Sequence, residues 1–247
     1  MQVLRKYLEA EDPSVLVLTE TKCSKGKPDI LCLKTRFKYQ FWGTDPQPGR
    51  AGTAILSKVK PINTVMGLPT WPEDPSHTAG RYVELEYEGV YIIGVYVPNS
   101  GDTLQNLDTR KKWNTALKDH LRTLDAQKPI ICGGDFNCIM DKKDIDQTAE
   151  AYWDRMGGMS KQERVDMAEL MKEDDAFEGF VDVWRNLHPE AEEYTHSSTK
   201  FGSWRLDSFI VSAQLTAKAS GSVIRHKLKA LNVSDHWPVA FDIELKL

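Results

Sequence analysis

Short apolar runs, each followed by polar or turn-forming residues, recur along the chain and predict a series of buried strands. Their length and their content of β-branched and aromatic residues are typical of strands. The predicted strands cover residues 14–18, 39–42, 51–57, 82–87, 90–97, 129–132, 204–211 and 239–247. Glu88 and Gly89 separate two of these runs as a hairpin turn would. Gly133 and Gly134 are expected to end another.

Helices are predicted where apolar residues recur three and four positions apart. They cover residues 1–12, 108–125 and 160–171, and residues 177–187 form a further helix or turn. Trp113 belongs to the apolar face of the second helix and is expected in the core. Ser160 and Glu163 have the spacing of a capping box at the start of the third helix. The polar stretch 141–158 predicts a long surface loop.

Many strands interleaved with few helices predict an α/β protein in which mixed sheets pack face to face with helices outside. A doubly wound nucleotide-binding fold needs a regular strand–helix alternation and a glycine-rich first turn, and the sequence has neither. No repeat, linker or low-complexity tract divides the 247 residues. We therefore expect a single domain over residues 1–247.

Composition narrows the cellular setting and the class of function. No apolar run approaches the ~20 residues that a membrane span requires, and the N-terminus lacks the apolar segment of a secretory signal. The four cysteines have no zinc spacing, which favours a reducing, intracellular compartment. The net charge of −4 argues against a purely electrostatic nucleic-acid binder. It is compatible with an enzyme that acts on phosphates through a bound cation.

Polar residues stand at the ends of five predicted strands. They are Glu20, Tyr96 with Asn99, Asp135 with Asn137, Asp207, and Asp235 with His236. Taken alone, Asp135 and Asn137 are ordinary turn residues, but polar groups that repeatedly end buried strands must meet one another or water. Four carboxylates in one pocket require a cation, and oxygen ligands favour Mg²⁺, Mn²⁺ or Ca²⁺. Zinc is disfavoured because only one histidine belongs to the cluster.

Such a cluster suits the hydrolysis of a phosphodiester. That reaction needs charge neutralisation at the phosphoryl oxygens, an activated water and a stabilised leaving oxygen. Positioned acid–base groups contribute ~10²–10⁴-fold to the rate and fixed electrostatic donors ~10²–10³-fold each. A metal carboxylate, a general base, a histidine–carboxylate pair and amide donors together form a sufficient set.

Five motifs resemble those of the exonuclease III-type apurinic/apyrimidinic endonucleases, which have the endonuclease/exonuclease/phosphatase superfold. In chain order they are Leu-Thr-Glu-Thr-Lys around Glu20, Tyr96-Val97-Pro98-Asn99, Gly134-Asp135-Phe136-Asn137, Trp204-Arg205-Leu206-Asp207 and Ser234-Asp235-His236-Trp237-Pro238. The resemblance implies a four-layer α/β sandwich with a Mg²⁺-dependent site, in which Mn²⁺ can substitute. It implies incision of double-stranded DNA 5′ to an abasic sugar, and it allows a 3′-exonuclease or 3′-phosphodiesterase activity.

The resemblance assigns four residues to the metal and the attacking water. Glu20 would be the metal ligand, and Asp235 would support the metal or its waters. Asp135 would activate or orient the water, and Asn137 would help to hold it.

Four further residues would contact or prepare the phosphate. His236 would bind the scissile phosphate, and Asp207 would orient the imidazole and keep it charged. Tyr96 would donate to the phosphate, and Asn99 would contact it or the backbone.

The same resemblance implies a pocket for the abasic sugar. Trp204 and Leu206 would wall an apolar slot that admits the flipped sugar and excludes a whole base. Core packing is the alternative explanation for both residues. His196 stands where the family usually has an aromatic pocket residue. The 141–158 stretch does not match the family's usual loop, so DNA contacts there are not transferable.

One departure concerns the start of the chain. In the family, a strand carrying an Asn, with an Asp soon after it, precedes the first helix, and this sequence begins with that helix. We therefore expect an exposed apolar sheet edge and weak or absent catalysis by these 247 residues.

Two other functions stay open at this stage. One is another metal-dependent phosphodiesterase of the superfold, acting on RNA, phosphoinositides or a lipid headgroup. The other is a non-catalytic DNA- or protein-binding remnant. For the leading function we expect a monomer that binds duplex DNA and no membrane, in the nucleus of a eukaryote or otherwise in the cytoplasm.

Overall fold

Two layers of β-strands face each other and carry helices on their outer surfaces. The structure is a computed structural model that describes residues 2–24, 28–71, 79–226 and 234–247. Within these residues the strands are β1 (Val15–Leu18), β2 (Tyr39–Gly43), β3 (Thr53–Ser57), β4 (Asn63–Met66), β5 (Tyr82–Glu86), β6 (Tyr91–Tyr96), β7 (Ile130–Asp135), β8 (Phe180–Asp182), β9 (His196–Ser198), β10 (Gly202–Trp204), β11 (Asp207–Ser212), β12 (Ala219–Ile224) and β13 (Val239–Ile243).

The helices of the described residues alternate irregularly with these strands. They are α1 (Gln2–Glu11), α2 (Leu31–Arg36), α3 (Leu107–Asp125), α4 (Gln147–Glu150), α5 (Lys161–Met171) and α6 (Val183–Leu187), with short 3₁₀ segments at Lys142–Asp144 and Ala213–Lys218. None of them combines the length and the apolar character that a membrane span requires.

The largest sheet is mixed and has six strands in the order β4-β5-β6-β7-β11-β8. Its neighbours are antiparallel except β6 and β7, which run parallel. The opposing layer contains the antiparallel sheet β1-β3-β2 and the antiparallel pair β12-β13. β9 and β10 form a separate short ribbon. The predicted α/β sandwich of face-to-face sheets with outer helices is therefore confirmed.

Strands β6 and β7 are apolar without alternation because both of their faces are covered. Ile93 and Ile130 point to the side where α3 and α5 pack, among the residues that also bury Trp113. Ile92 and Ile131 point to the other side, into the core between the two layers. Adjacent residues of a strand face opposite ways, so an uninterrupted apolar run indicates a central strand.

Helices α1 and α2 cover the outside of the second layer. Leu8 and Leu33 pack there against Leu56 of β3, and all three are buried. Within this layer, a groove of about 440 Å³ lies between β1 of one sheet and β13 of the other. Leu16 and Val239 are among its lining residues.

Several sequence-based boundaries are wrong, for identifiable reasons. The 141–158 stretch is not an irregular surface loop, because it contains a 3₁₀ turn and α4 and buries Ile145, Ala149 and Met156. The predicted strand over 204–211 divides into β10 and β11, since Arg205 and Leu206 lie between the two ladders. The 177–187 segment contains both a strand, β8, and a helix, α6. The capping box of Ser160 and Glu163 is confirmed.

Candidate active site

Three of the predicted site residues form a row across the centre of the six-stranded sheet. Tyr96 at the end of β6 lies beside Asp135 at the end of β7 in the parallel pair. Asp207 at the start of β11 lies opposite Asp135 in the antiparallel pair. Residues in register on adjacent strands project to the same face. The phenol and the two carboxylates are therefore neighbours although they come from distant parts of the sequence.

β7 reaches Asp135 because the strand continues through Gly133 and Gly134, contrary to the prediction that these glycines end it. A Cβ at Gly133 would lie 2.2 Å from ring atoms of Phe209. Gly134 has a φ of +139°, and a Cβ there would lie 2.1 Å from the carbonyl oxygen of Val95. Only glycine allows the neighbouring strands to approach this closely. Gly133 and Gly134 therefore allow β7 to continue as a paired strand up to Asp135.

Asp135 is a buried carboxylate held by the residue two positions later. Its Oδ1 accepts a hydrogen bond from the Asn137 backbone N at 2.7 Å, and its Oδ2 accepts one from Asn137 Nδ2 at 3.2 Å. Burial, followed by the charge of Asp207, raises the pKa of Asp135 to about 7. A carboxylate with a pKa near neutrality is suited to take a proton from water.

The loop after β7 has a strained but well-supported conformation. Asn137 has a φ of +47°, a region that asparagine tolerates better than most residues. Asn99 Nδ2 donates to Asn137 Oδ1 at 2.9 Å, and Asn99 Oδ1 accepts from the Gly101 backbone N. The second hydrogen of the Asn99 amide remains for another acceptor.

Arg110 supports the same loop and was missed by the sequence-based prediction. Its guanidinium is fully buried and donates to the backbone carbonyls of Pro98, Phe136 and Asn137 at 2.7–3.2 Å. Arg110 lies three positions before Trp113, hence on the apolar face of α3. A charged residue on the apolar face of a helix is buried and must have hydrogen-bond partners, and this was the signal in the sequence.

His236 is oriented and charged by Asp207. Its Nδ1 lies 2.8 Å from Asp207 Oδ2. Burial by itself would lower the pKa of His236, but the carboxylates of Asp207, Asp135 and Asp235, with Asp207 contributing most, together outweigh burial and raise that pKa to about 10. Thr195, also missed from the sequence, accepts the backbone N–H groups of Leu206 and Asp207 with its buried hydroxyl. The imidazole is therefore a cation at neutral pH, held against the carboxylate row.

Glu20 follows β1 with a φ of +49°, a strained conformation for glutamate. Its Oε1 accepts the Tyr96 hydroxyl at 2.8 Å, and its Oε2 lies 3.1 Å from Lys22 Nζ. Partial burial alone would raise the pKa of Glu20, but Tyr96 and Lys22 lower it. The Glu20 side chain is therefore an anion that interacts electrostatically with Asp135 and His236.

His196 joins His236 at the mouth of the site. The two histidines form an isolated antiparallel bridge, and their ring centroids are 4.7 Å apart. His196 Nε2 lies 3.8 Å from Oδ2 of Asp235, whose side chain is 74% exposed. Burial and the charge of His236 lower the pKa of His196, so this second imidazole is neutral at pH 7.

Trp204 and Leu206 lie beside the site but are almost entirely covered. They are 4% and 6% exposed and belong to a cluster that contains Ile139, Met156 and Met159. Trp204 Nε1 donates to the Phe201 carbonyl oxygen at 2.9 Å. The arrangement therefore makes an apolar floor next to the histidines, since His196 is paired with Trp204 across β9 and β10.

Two groups of carboxylate and imidazole atoms among the described residues lie close enough to hold a cation, within 4.8 Å of one another. They are Asp135, Asp207 and His236, and His196, Asp235 and His236. Glu20 lies outside both groups. An anionic row beside an imidazolium, with a hydroxyl donor from Tyr96, can bind a phosphate diester and deprotonate a water next to it.

Comparisons with known proteins show the family and the fold. The sequence model that describes the endonuclease/exonuclease/phosphatase family matches residues 1–236 of this chain. The chain is 31% identical over 246 residues to an exodeoxyribonuclease of Bacillus subtilis (strain 168), which covers 97% of this chain and 91% of that protein. It is 31% identical over 242 residues to the DNA repair nuclease APEX1 of Danio rerio, which covers 94% of this chain and 74% of that protein.

A solved structure has the same fold over nearly the whole chain. It is a 3′ phosphatase from Neisseria bound to product DNA hairpin, with a TM-score of 0.83 and 26% identity. The match covers 99% of this chain and 94% of that chain.

Proposed function

The chain belongs to the endonuclease/exonuclease/phosphatase family, in its exonuclease III-type apurinic/apyrimidinic endonuclease branch, and we propose that it is a DNA-repair hydrolase that incises duplex DNA 5′ to an abasic site. The observation that carries the proposal is the row of Tyr96, Asp135 and Asp207 with the His236 imidazolium bound to Asp207. This set offers a base for water and two donors for a phosphate in one place.

In the proposed reaction, His236 donates to the scissile phosphate, and the Tyr96 hydroxyl, which donates to Glu20 in this structure, turns to the phosphate as a second donor. Asp135 takes a proton from the attacking water, for which its pKa of about 7 is suitable, and Asn137 helps to hold that water. Asp207 acts through His236 by keeping the imidazole charged. Asn99 uses the remaining hydrogen of its amide toward the phosphate or the DNA backbone.

Candidate ligands for a divalent cation lie in the site, since ligand atoms of Asp135, Asp207 and His236 are within 4.8 Å of one another. Burial and like charge raise the pKa of Asp135 to about 7, which is the condition that a neighbouring cation relieves. We propose Mg²⁺, with Mn²⁺ as a substitute, held by Glu20 and supported by Asp235. When bound, the ion would neutralise charge on the phosphoryl oxygens and stabilise the leaving oxygen.

We propose that Trp204 and Leu206 form the apolar floor on which the flipped abasic sugar rests, with His196 at its edge. Trp204 lies beside His196, with ring centroids 6.2 Å apart, and His196 lies beside His236, which supports an apolar surface next to the two histidines. The chain would act as a monomeric single domain in a reducing compartment, consistent with its four free cysteines.

A second activity at DNA 3′ ends is supported by the relatives. One matched protein is named an exodeoxyribonuclease and one matched structure a 3′ phosphatase. Removal of a 3′ blocking group is hydrolysis of a phosphate ester by the same groups. We therefore propose 3′-phosphodiesterase or exonuclease action at the same site.

The deciding experiment is incision of a labelled duplex with one synthetic abasic site, in Mg²⁺ and in EDTA. We expect Mg²⁺-dependent cleavage 5′ to the lesion, little internal cleavage of the undamaged duplex, and no hydrolysis of RNA or phosphoinositides. His236→Ala should lose at least ~10²-fold in rate, whereas the buried core variant Cys132→Ala should lose little.

Two results would contradict the proposal. Faster hydrolysis of RNA or a phosphoinositide than of the abasic duplex would assign the site to another phosphodiesterase. DNA binding that is independent of Mg²⁺, with no incision under any condition, would indicate a non-catalytic binding protein.

A further inference from the structure

The backbone around β9 fixes two histidines and one aspartate next to one another. His196 and His236 form a β-bridge. On one side of the bridge the Ser197 backbone N donates to the Asp235 carbonyl oxygen at 3.1 Å, and on the other side the Trp237 backbone N donates to the Thr195 carbonyl oxygen at 2.7 Å. Three consecutive backbone pairings set the register. The backbone, and not the choice of side-chain rotamer, therefore places the two histidines next to each other.

His196 has an unsatisfied imidazole. Its Nδ1 is buried and has no hydrogen-bond partner among the described residues. Its Nε2 has only the 3.8 Å approach of Asp235 Oδ2, which is longer than a hydrogen bond. A largely buried imidazole with an unpartnered Nδ1 and only a distant carboxylate near Nε2 is expected to bind a ligand, because an unpartnered buried polar group is destabilising.

His236 has one ring nitrogen that Asp207 does not use. Its Nδ1 is used by Asp207 at 2.8 Å, so a metal ion would bind Nε2 and displace the proton that this nitrogen carries in the imidazolium. A carboxylate behind a histidine fixes the ring orientation and increases the basicity of the other nitrogen, the arrangement that accompanies histidine ligands in metal sites. Asp207 thus already provides the outer support that such a ligand needs.

The three ligand atoms are close enough for one ion. Those of His196, Asp235 and His236 lie within 4.8 Å of one another. Tetrahedral bonds of ~2.1 Å require separations of about 3.4 Å, so a small movement is needed. The exposed Asp235 side chain can supply it without disturbing the core.

We propose that His196, Asp235 and His236 form a zinc-binding site, with water as the fourth ligand. Two imidazoles and one carboxylate suit zinc, whereas Mg²⁺ takes oxygen ligands and retains its waters. The sequence disfavoured zinc because His236 was the single histidine of the cluster, and the fold adds His196. The site shares Asp235 with the proposed magnesium site but does not include Glu20, and zinc binding itself does not depend on the nuclease activity.

Zinc at this position would have a regulatory consequence. It would occupy Nε2 of His236, the residue that we propose for binding the scissile phosphate, so zinc and substrate would exclude each other. This consequence rests on the proposed function, whereas zinc binding itself does not.

The test is direct binding of Zn²⁺ to the full chain without DNA, measured by calorimetry with excess Mg²⁺ present. Co²⁺ serves as a second probe because its visible absorption reports histidine ligation. We expect one Zn²⁺ per chain in the wild type. His196→Phe and Asp235→Ala should each weaken binding at least ~10-fold, as even the loss of an outer-shell partner does. Asp235→Ala keeps the test informative if His196→Phe fails to fold, because its side chain is mostly exposed.

His226→Ala is the matched control. His226 is an exposed histidine with Glu193 at 2.7 Å but no second imidazole beside it among the described residues. Its zinc affinity should equal that of the wild type. Zinc binding that survives both His196→Phe and Asp235→Ala, or that Mg²⁺ displaces completely, would overturn the proposal.

Discussion

Asp207 lies directly opposite Asp135 across the antiparallel pair of β11 and β7, and only one of the two carboxylates has a cationic partner. Asp207 binds His236 at 2.8 Å. Asp135 is buried and bonded to Asn137, and its pKa is raised to about 7. The different surroundings of the two carboxylates suit them to different roles. Asp135 is suited to act as a base, and Asp207 is suited to orient His236.

Asp207→Asn should change the pH dependence of incision as well as its rate. The amide can keep the hydrogen bond but removes the charge that holds the His236 pKa at about 10. That pKa should fall toward 6.5, so the phosphate-binding cation is lost as pH rises through neutrality. We expect a rate loss of at least ~10²-fold at pH 8 and a smaller loss at pH 6. The measurement is kcat/KM against pH, with the exposed Asp242→Asn variant as the control. Parallel pH profiles for Asp207→Asn and the wild type would contradict the role of Asp207 in keeping His236 charged.

Asp135→Asn should separate activity from stability. Loss of the base should reduce incision by ~10²–10⁴-fold. The pKa of Asp135 is raised on folding, so its ionisation destabilises the folded state as pH rises from 3.8 to about 7. Without added metal, the variant should therefore melt above the wild type at pH 8, and the gain should vanish below pH 4. Thermal unfolding in EDTA tests this, and an equal gain in exposed Asp119→Asn would refute the explanation.

Arg205→Met should destabilise the fold rather than the chemistry. The guanidinium is buried and binds Asp144 and Asp182, each at 2.7 Å. Removing it leaves two buried carboxylates without this partner, at a cost of about 3–5 kcal/mol in the free energy of unfolding. Urea denaturation measures the loss, and exposed Arg5→Met should change stability by less than about 0.5 kcal/mol.

The pH dependence of that loss follows from Asp144. Burial alone would raise its pKa, but Arg205, with smaller contributions from Arg185 and the Met140 backbone N–H, outweighs burial and lowers it. A lowered pKa contributes stability above the unfolded value of 3.8 that disappears as pH falls through the folded value. The difference between Arg205→Met and the wild type should therefore narrow in acid. A difference that grows below pH 4 would contradict the ion pair as its cause.

Gly134→Ala should damage the strand that carries Asp135. The added Cβ would lie 2.1 Å from the Val95 carbonyl oxygen, at a φ of +139°. Overpacking and backbone strain together should cost at least about 2 kcal/mol. Gly89→Ala is the control, since the nearest atom to its Cβ is 4.0 Å away. Equal urea midpoints for the two variants would show that the sheet yields at this position.

The sequence by itself determined most of the strands and the identity of the polar residues at their ends. Uninterrupted apolar runs such as that of β6 indicate central strands because burial on both faces leaves no polar position. Ser160 and Glu163 fixed a helix start through local hydrogen bonds. The order and spacing of the motifs around Glu20, Asp135, Asp207 and His236 were sufficient to identify the family.

Only the tertiary structure decided which polar residues touch. The pairing of Asp135 with Asp207, the burial of Arg110 under the Asn137 loop and the meeting of His196 with His236 all join residues far apart in the sequence. Sequence patterns report local periodicity, whereas register between strands depends on packing across the whole core. For the same reason Gly133 and Gly134, typical strand breakers, stay in β7, where neighbouring strands approach too closely for a side chain.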